Sequence, residues 1–294
     1  MCPTRVGAAR LLLALVVSVL AGASAAAQDT LTVTLTPGTV QPGTVVVAAI
    51  DAPAGTTAVS VTAVGGDWPA FRADNGQWRA LVGVDMETTP GQYPVVARSA
   101  GTVTLEHRQS ITVARRQYRR RVLKVAPEYV NPPAETLERI AREAEWTRQA
   151  YSRTATEPGW RDGFVRPVAE PANSSFGTRS VFNGESRSPH AGTDFLSPTG
   201  TPIHAPAAGR VVLARDLFFT GNTVIIDHGL GVFSMLAHLS RIDVEESQDL
   251  NTGEVVGLVG ATGRVTGPHL HWALRVGGAR VDPLSALERQ PRGR

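Results

Sequence analysis

The chain has 294 residues, of which 42% are hydrophobic and 19% charged, and its formal net charge is +3. This length and composition fit two ordinary folded domains, and they exclude a disordered tail, a coiled coil and one small domain. Cys2 is the only cysteine, so the sequence offers no disulfide framework. Any transition metal must therefore be held by histidine, aspartate or glutamate.

The first 27 residues have the layout of a secretory signal peptide. Arg5 and Arg10 precede an apolar run at residues 11–20, and small residues follow it. An apolar run this short does not make a stable membrane span, so no lasting anchor is expected. Removal of residues 1–27 would take away two arginines and lower the formal charge from +3 to +1. We therefore predict an exported protein, periplasmic or secreted, with no general affinity for nucleic acid.

Residues 28–125 show a pattern of short alternating strands. Apolar side chains recur at every second position, which places them on one face of a strand. Pairs such as Pro37-Gly38 and Asn75-Gly76 separate the runs as turns, and Pro42-Gly43 and Pro90-Gly91 are read in the same way. The alternating runs are 31–35, 45–47, 59–63, 80–82, 103–105 and 111–113. About seven short strands at regular spacing predict an immunoglobulin-like β-sandwich domain.

An arginine-rich run at residues 115–121 comes next, followed by a helical linker at 126–162. The run is typical of a solvated strand end, although it could instead contact an anionic polymer such as wall glycan or teichoic phosphate. Pro132-Pro133 can open a helix that ends near residues 157–159. Its charged residues are interpreted as a solvated face. Its apolar positions at helical spacing are Leu137, Ile140, Ala141, Ala144 and Tyr151.

Residues 163–294 form a second predicted β-rich domain, in which glycine and proline separate short apolar runs. The predicted strands are 209–213, 223–227, 232–236, 254–259 and 271–276. Together the two halves predict a mainly β protein with an N-terminal sandwich, a helical linker and a C-terminal antiparallel β domain.

Four histidines and one aspartate of this second domain have spacings that suit a metal site. His269 and His271 are two residues apart in a predicted strand, so both imidazoles face one pocket. His190 and Asp194 can converge on a metal from a loop that runs into a strand, and His238 supplies a further imidazole. Imidazole nitrogens and a carboxylate oxygen are the ligands of catalytic zinc sites that keep one position open for water. The sequence therefore predicts a zinc hydrolase.

The motifs His190-Ala-Gly-Thr-Asp194, Leu236-Ala-His238 and Gly267-Pro-His269-Leu-His271 follow one another in this order, together with Phe176-Gly177 and Val281-Asp282-Pro283. In these residues the segment of about 163–288 resembles the LytM/lysostaphin-like (M23) metallopeptidases. The resemblance implies a compact, mainly antiparallel β fold with a narrow groove. It also implies a zinc endopeptidase that cuts peptide stems or cross-links of bacterial peptidoglycan.

By the same resemblance, His190, Asp194 and His271 would bind one zinc ion, and His238 and His269 would be catalytic. The chemistry agrees with these roles, because zinc can lower the pKa of a bound water to about 7 and imidazole can accept or return its proton. The sequence contains no His-Glu-x-x-His motif, so the glutamate base of that other class of zinc peptidase is missing.

Two positions depart from the family pattern. Leu236 stands where the family often has tyrosine, and Val265 stands where a small or hydroxyl residue is common. Neither change removes a ligand, but each is expected to alter substrate fit or rate. Outside the five site positions, we interpret His204, His228 and His107 as structural, turn and surface residues, Trp272 and Phe195 as core, and Arg179 and Asn183 as candidate groove residues.

Three other functions are weighed against this interpretation. The chain could be a non-catalytic activator of a cell-wall amidase, but such a relative should lack ligands or catalytic histidines, and all five positions are filled. It could be a secreted protease that acts on proteins. It could also be a wall-binding scaffold, in which the N-terminal domain contacts the wall or a protein partner.

Overall fold

The computed structural model describes Met1 and residues 30–124, 132–173 and 175–288. The predicted signal peptide, apart from Met1, therefore lies outside the described residues, as does the start of the predicted linker. The described residues form 21 β-strands and two α-helices, so the mainly β class is confirmed. Within these ranges, no helix combines the length and apolar character needed to cross a membrane.

Nine strands in the N-terminal part form two sheets. The sheets have the strand orders β1-β3-β7-β6 and β2-β9-β8-β4-β5, and every pair is antiparallel except β2 with β9. Alternate side chains of both sheets point into one apolar core, as the period of two requires. The immunoglobulin-like topology stays a prediction. The strands are β1 Thr32–Thr36, β2 Thr39–Val40, β3 Val45–Asp51, β4 Thr56–Ala63, β5 Gly66–Pro69, β6 Phe71–Arg72, β7 Trp78–Gly83, β8 Gly91–Gly101 and β9 Glu106–Val113.

One strand prediction in this part was wrong, and the strands β2, β5, β6 and β8 were not predicted. Residues 103–105 belong to the connection between β8 and β9 and not to a strand. Conversely, β8 was missed, although it is an eleven-residue strand between β9 and β4. The pair Pro90-Gly91 was read as a turn, and Pro94 lies inside the strand, where a missing N–H normally argues against a central position.

The helix α1 covers Leu137–Ala150 and follows a 3-10 turn at Ala134–Thr136. It ends earlier than predicted, and its predicted apolar positions are only partly buried: Ile140 and Tyr151 are half-buried, but the others are not. Leu137 is 54% exposed, and Ala141 and Ala144 are exposed as well.

The residue of α1 that is buried is Glu143, which is 6% exposed and had been assigned to the solvated face. Its carboxylate accepts hydrogen bonds from the backbone N–H of Phe218, at 2.6 Å, and from Arg139 Nε, at 2.5 Å. Because a buried carboxylate is stable only when it is paired, this contact orients the helix on the C-terminal part. The helical spacing of apolar residues could not predict this contact, because the contact is made by a charged side chain.

The C-terminal part is built around a nine-stranded sheet whose strand pairs are all antiparallel. Its main order is β13-β20-β17-β16-β15-β18, with β14, β19 and β21 attached at the side. All five predicted strands of this part are present as β15, β16, β17, β19 and β20. The elements are β11 Arg179–Phe182, β12 Glu185–Ser186, β13 Gly192–Phe195, β14 Pro202–His204, β15 Gly209–Leu217, β16 Gly221–Asp227, β17 Val232–Ile242, β18 Asp249–Leu250, β19 Val255–Val259, β20 Leu270–Val276, β21 Ala279–Val281 and the helix α2 Pro283–Glu288.

The arginine-rich run ends in a strand that was not predicted, β10 at Arg120–Leu123. All four of its residues are exposed, in agreement with a solvated segment, but the strand pairs in parallel with β11. Upstream of it, Arg116 Nη2 lies 3.0 Å from Asp282 Oδ2, and the Tyr118 hydroxyl donates to the Pro42 carbonyl at 2.9 Å. The run is thus attached to both parts of the chain.

An apolar core continues from the N-terminal sheets into the C-terminal part. Trp160 and the β20 residues Leu274 and Val276 belong to the same buried cluster as the sandwich core. The rings of Phe71 and Trp160 meet edge to face at 5.0 Å. The boundaries 28–125, 126–162 and 163–294 stay predictions, but this shared core crosses them.

An ion-pair cluster closes the same junction. Arg280 Nη2 lies 2.8 Å from Asp85 Oδ1 and 2.7 Å from Glu87 Oε2. Arg280 Nε also donates to Asp85 Oδ2 at 3.0 Å, which makes the pair bidentate. Bidentate arginine–carboxylate pairs fix orientation, so the two parts are held in one arrangement.

Candidate metal centre

The two faces of the strand β20 differ in burial, and this difference positions the motif histidines. Residues Leu270, Trp272, Leu274 and Val276 are buried, and the residues between them are half-buried. The buried face packs into both apolar cores of the protein. The opposite face presents His271 to Asp194 and His238, with His269 one period earlier just before the strand.

Asp194 reaches the same place from the neighbouring strand. In the antiparallel ladder of β13 and β20, Asp194 lies directly opposite His271. Its Oδ1 atom is 2.9 Å from His271 Nδ1. Cross-strand partners have Cβ atoms about 4.5–5.5 Å apart, so this register by itself brings the two side chains into contact.

His190 lies in the loop before β13, and Ser175 holds it in place. The His190 Nδ1–H group faces the Ser175 carbonyl at 3.2 Å, which leaves Nε2 directed at Asp194 Oδ1, 3.1 Å away. The Ser175 hydroxyl also accepts from the backbone N–H of Asp194, at 3.2 Å. A histidine ligand whose second ring nitrogen is hydrogen-bonded in this way has a fixed orientation and tautomer.

His238 enters the groove through an irregularity in β17. The register with β16 shifts between Val224 and Asn222, and His238 has a φ of +68°. A bulge of this kind redirects a side chain, and a left-handed residue other than glycine costs roughly 1–3 kcal/mol that the surrounding structure must supply. His238 Nδ1 is 3.0 Å from the Thr262 carbonyl, so its Nε2 is the atom left for the groove.

The five predicted site residues meet in one cluster. The ring centroids of His190 and His271 are 4.8 Å apart, as are those of His238 and His269. His269 Nδ1 lies 2.9 Å from the Gly267 carbonyl, and its Nε2 is 3.9 Å from Asp194 Oδ1. The cluster therefore has two histidines in contact with the carboxylate and two more beside it.

Three of these residues are placed as a metal site requires. One donor atom each from His190, Asp194 and His271 lies within 4.8 Å of the others. Tetrahedral zinc with bonds of about 2.0–2.1 Å needs donor atoms roughly 3.4 Å apart, and two nitrogens with one carboxylate oxygen leave a fourth position open. The donor set and its spacing thus fit a catalytic zinc ion.

The cluster opens into a groove with a cavity of about 580 Å³. The residues along the cavity include His190, Asp194, His238 and His269, with Phe182, Val265 and Thr266 around them. It is large enough to admit an extended peptide segment at the histidine cluster.

Comparison with known proteins assigns the chain to a family. The model of peptidase family M23 matches residues 188–283. A crystal structure described as a putative peptidase M23 from Pseudomonas aeruginosa is 37% identical and superposes with a TM-score of 0.65, over 84% of this chain and 94% of that one. The chain belongs to peptidase family M23. Because 84% is more than the C-terminal domain alone, the likeness extends into the N-terminal part.

Two named relatives match shorter stretches of this M23 chain. The peptidoglycan DD-endopeptidase ShyA of Vibrio cholerae is 38% identical over 140 residues, which cover 47% of this chain and 30% of ShyA. The DD-carboxypeptidase/endopeptidase Mpg of Neisseria meningitidis is 44% identical over 96 residues, or 33% of this chain and 22% of Mpg. The matched part of the M23 chain thus spans less than a third of either relative.

Burial and hydrogen bonding set the protonation states in this M23 site. Burial raises the pKa of Asp194, but its hydrogen bonds with His190 and His271 outweigh burial and hold the pKa well below the usual range. Burial lowers the pKa of His271, and burial together with the charge of His271 lowers that of His238 to about 4. An ionised carboxylate and neutral imidazoles are the forms that bind a metal ion, so the site is set up for one at neutral pH.

Some residues that the M23 resemblance left undecided are now placed. Arg179 and Asn183 are absent from the described lining of the cavity, which takes Ser180 and Phe182 from the alternate positions of β11. Trp272 and Phe195 are fully buried, which confirms that they are core. Ser175 was not predictable, because it acts through its backbone carbonyl and through a hydroxyl contact with a backbone N–H 19 residues away.

His228, interpreted as a turn residue, is instead a buried structural histidine of the M23 chain. It is 1% exposed, its Nδ1 faces the Ala208 carbonyl at 2.9 Å, and its Nε2 lies 2.9 Å from Ser234 Oγ. Ser234 Oγ in turn accepts from Trp272 Nε1–H at 3.0 Å. The polar side-chain atoms of His228, Ser234 and Trp272 are thereby all hydrogen-bonded, next to His271 of β20.

This network predicts an acid-dependent loss of stability. Burial lowers the pKa of His228 from 6.5 to about 4, so the unfolded chain takes up a proton at higher pH than the folded protein. The contribution of His228 is complete above pH 6.5 and declines as the pH falls toward 4. We expect the free energy of unfolding to lose about 2 kcal/mol through this residue between pH 7 and pH 5.

The measurement is urea denaturation of the wild type and His228→Gln at both pH values, with EDTA present so that metal release does not contribute. The variant should be less stable at pH 7, and its stability should change less with pH. His107→Gln, in the N-terminal sheets, is the control for loss of a histidine. Equal pH dependence in the wild type and His228→Gln would contradict the expectation.

Proposed function

We propose that this chain is an exported zinc endopeptidase that hydrolyses peptide bonds in the stems or cross-links of bacterial peptidoglycan. The observation that carries the proposal is the convergence of His190, Asp194 and His271 within 4.8 Å beside a groove that His190 and Asp194 line, with two further imidazoles next to them. Family membership supports a peptidase, and the names of ShyA and Mpg support peptidoglycan as its substrate.

In this proposal His190, Asp194 and His271 hold the zinc ion. When bound there, zinc lowers the pKa of a water molecule and polarises the peptide carbonyl. His238 and His269 each direct Nδ1–H at a backbone carbonyl, of Thr262 and Gly267, so each offers the lone pair of Nε2 to the groove.

These two imidazoles divide the proton transfers. One accepts the proton of the attacking water, and the other donates a hydrogen bond to the developing oxyanion or returns a proton to the leaving amine. The pKa of His238, lowered to about 4 by burial, keeps that ring neutral before the reaction at neutral pH. Asp194 stays ionised throughout, because its pKa lies well below the usual range.

The proposed substrate also implies where the protein acts. Peptidoglycan lies outside the cytoplasmic membrane, so the proposed activity requires export, as the predicted signal peptide at residues 1–27 would provide. The same proposal assigns the N-terminal sheets a supporting role, with the wall or a protein partner as their candidate contact.

The test uses purified residues 28–294. We expect about one zinc ion per chain by elemental analysis, and release of soluble muropeptides from isolated peptidoglycan that stops with a chelator and resumes with zinc. Mass spectrometry of the products would identify the bond that is cut.

Two results would separate this function from its alternatives. Cleavage of unfolded protein substrates with intact peptidoglycan left untouched would favour a general secreted protease. Zinc binding without hydrolysis of either substrate, but with stimulation of a wall amidase, would favour the activator.

A further inference from the structure

Three arginines line the cavity beside the metal centre, and the catalysis proposed above does not use them. They are Arg121, Arg187 and Arg264. Each comes from a different element: Arg121 from β10, Arg187 from the segment after β12, and Arg264 from the loop that precedes His269. Among the described residues of this lining, Asp194 is the only carboxylate, and it faces the histidines.

Arg121 is placed in the groove by the parallel pairing of β10 with β11. Arg121 and Ser180 are partners in that ladder, and Arg121 Nε donates to Ser180 Oγ at 2.8 Å. The Nε–H group thus orients the guanidinium, and the N–H groups of Nη1 and Nη2 can donate hydrogen bonds to a ligand.

Arg187 and Arg264 line the same cavity as Arg121. Arg187 lies 3.1 Å from Glu185, which is itself 55% exposed, so the pair is screened by water. Arg264 lies over the ring of Phe219, with its central carbon 4.4 Å from the centroid, and this stacking holds the guanidinium plane.

The charges of these two arginines act on one another. Partial burial, followed by the nearby charge of Arg187, lowers the pKa of Arg264. A carboxylate that came between them would reduce this repulsion and would accept hydrogen bonds from both, and charge-assisted bonds of this kind are stronger than neutral ones.

We propose that Arg121, Arg187 and Arg264 form a subsite for a free carboxylate of the peptide substrate, next to the bond that is cut. This inference rests on the proposed function, because peptidoglycan stems are peptides that carry such carboxylates. A guanidinium presents parallel N–H donors that match the two oxygens of a carboxylate, and the excess of positive charge in the groove attracts an anionic peptide from a distance.

The subsite makes substrate choice depend on the N-terminal half of the chain. Arg121 lies outside residues 188–283, the segment matched by the family model, and belongs to the arginine-rich run that follows the sandwich. Its position depends on β10 and on the attachment of that run through Arg116 and Tyr118. On this proposal the run would bind an anion of the substrate inside the groove and not an anionic wall polymer at the surface.

The test measures binding apart from turnover. Zinc-loaded His269→Ala protein is titrated calorimetrically with a synthetic stem tetrapeptide whose carboxylates are free, and with the same peptide fully amidated. We expect the acidic peptide to bind at least tenfold more tightly, and Arg121→Gln or Arg264→Gln to reduce this preference by about tenfold each. Arg121→Lys should reduce the preference by an intermediate amount, because lysine keeps the positive charge and lacks the paired N–H donors of the guanidinium.

Arg98→Gln is the matched control. It removes one arginine from the N-terminal sheets, and its partner Glu106 keeps a second arginine, Arg108. Arg121 and Arg264 are both exposed, so their variants should fold, and Arg121→Gln alone is sufficient for the test. Inorganic phosphate, added as a competitor, should displace the acidic peptide and leave binding of the amidated peptide unchanged.

The outcomes separate the subsite from the proposed function. Equal affinity for the two peptides, absence of binding by both, or a loss of preference no larger in Arg121→Gln than in Arg98→Gln, would each overturn the subsite. Hydrolysis of acidic and amidated stems at the same rate would keep the endopeptidase and also reject the subsite. Selective binding of the acidic peptide by a protein that does not digest peptidoglycan would keep the subsite and reject the endopeptidase.

Discussion

Substitution of His269 by alanine is expected to remove turnover and leave zinc bound. His269 Nε2 is 3.9 Å from Asp194 Oδ1, farther than the corresponding atoms of His190 and His271, so the ring lies beside the three predicted ligands and not among them. Loss of a positioned acid–base group typically costs 10²- to 10⁴-fold in rate. Zinc content after dialysis and the rate of muropeptide release are the two measurements.

The matching variant is His271→Ala, which should lose both zinc and turnover. His271 is fixed by its cross-strand partner Asp194, at 2.9 Å, and removal of one of three protein ligands leaves too few to retain the ion. His107→Ala, in the N-terminal sheets, should change neither quantity. Undiminished digestion by His271→Ala would count decisively against the ligand assignment.

The second large effect is expected from Gly192→Ala. A Cβ atom at Gly192 would lie 2.6 Å from Cε1 and 2.7 Å from Nε2 of His271, and 2.6 Å from the Trp272 carbonyl oxygen. The backbone oxygen is fixed in the sheet, so the imidazole must turn away from its place beside Asp194. We expect zinc affinity to fall by roughly 10- to 100-fold, the size of effect seen when residues that orient metal ligands are changed.

Competition with a chelator measures this affinity, and thermal unfolding of the apo protein shows how much stability is lost through overpacking. Gly267→Ala is the control, since an alanine at this position, two residues before His269, would meet nothing within 4 Å. Unchanged zinc affinity in Gly192→Ala would show that the ring position depends on other contacts.

The junction between the two parts of the chain bears on how the groove is formed. Leu274 and Val276 of β20 pack into the sandwich core, whereas Leu270 and Trp272 of the same strand pack into the core of the C-terminal sheet. The strand that carries His271 is thus held from both sides. The N-terminal sheets support the candidate metal centre through this strand, and they contact the segment that leads into β10 through the hydrogen bond of Tyr118 with Pro42.

Much of the C-terminal part was predictable because its signals are local. Strands such as β16 and β17 are short apolar runs between glycine-rich turns, and they were predicted to within a few residues at their starts. The predicted site residues were readable because their order and surrounding motifs resemble those of the M23 family, and the structure brings all five into one cluster. Their individual roles stay predictions until the variants are measured.

Other features were hidden from the sequence. The orientation of α1 depends on Glu143, whose partner is a backbone N–H 75 residues away, so the apolar pattern of the helix could not predict it. The strand β8 was not predicted; it begins at Gly91, within a proline–glycine pair typical of a turn, and it contains Pro94, which is unusual for a central strand. The strand β10 has no apolar periodicity, and it forms because β11 offers it a free edge.

The amino-acid sequence by itself determined the mainly β class, five of the C-terminal strand segments and the set of side chains that can bind a metal. These depend on periodicity, turn residues and donor chemistry, which are properties of short segments. Only the tertiary structure decided that Ser175 orients His190, that a bulge aims His238, and that Arg121 enters the groove from the arginine-rich run. Those features come from pairing and packing between segments that are distant along the chain. The energy of such contacts depends on both segments, so neither segment alone predicts it.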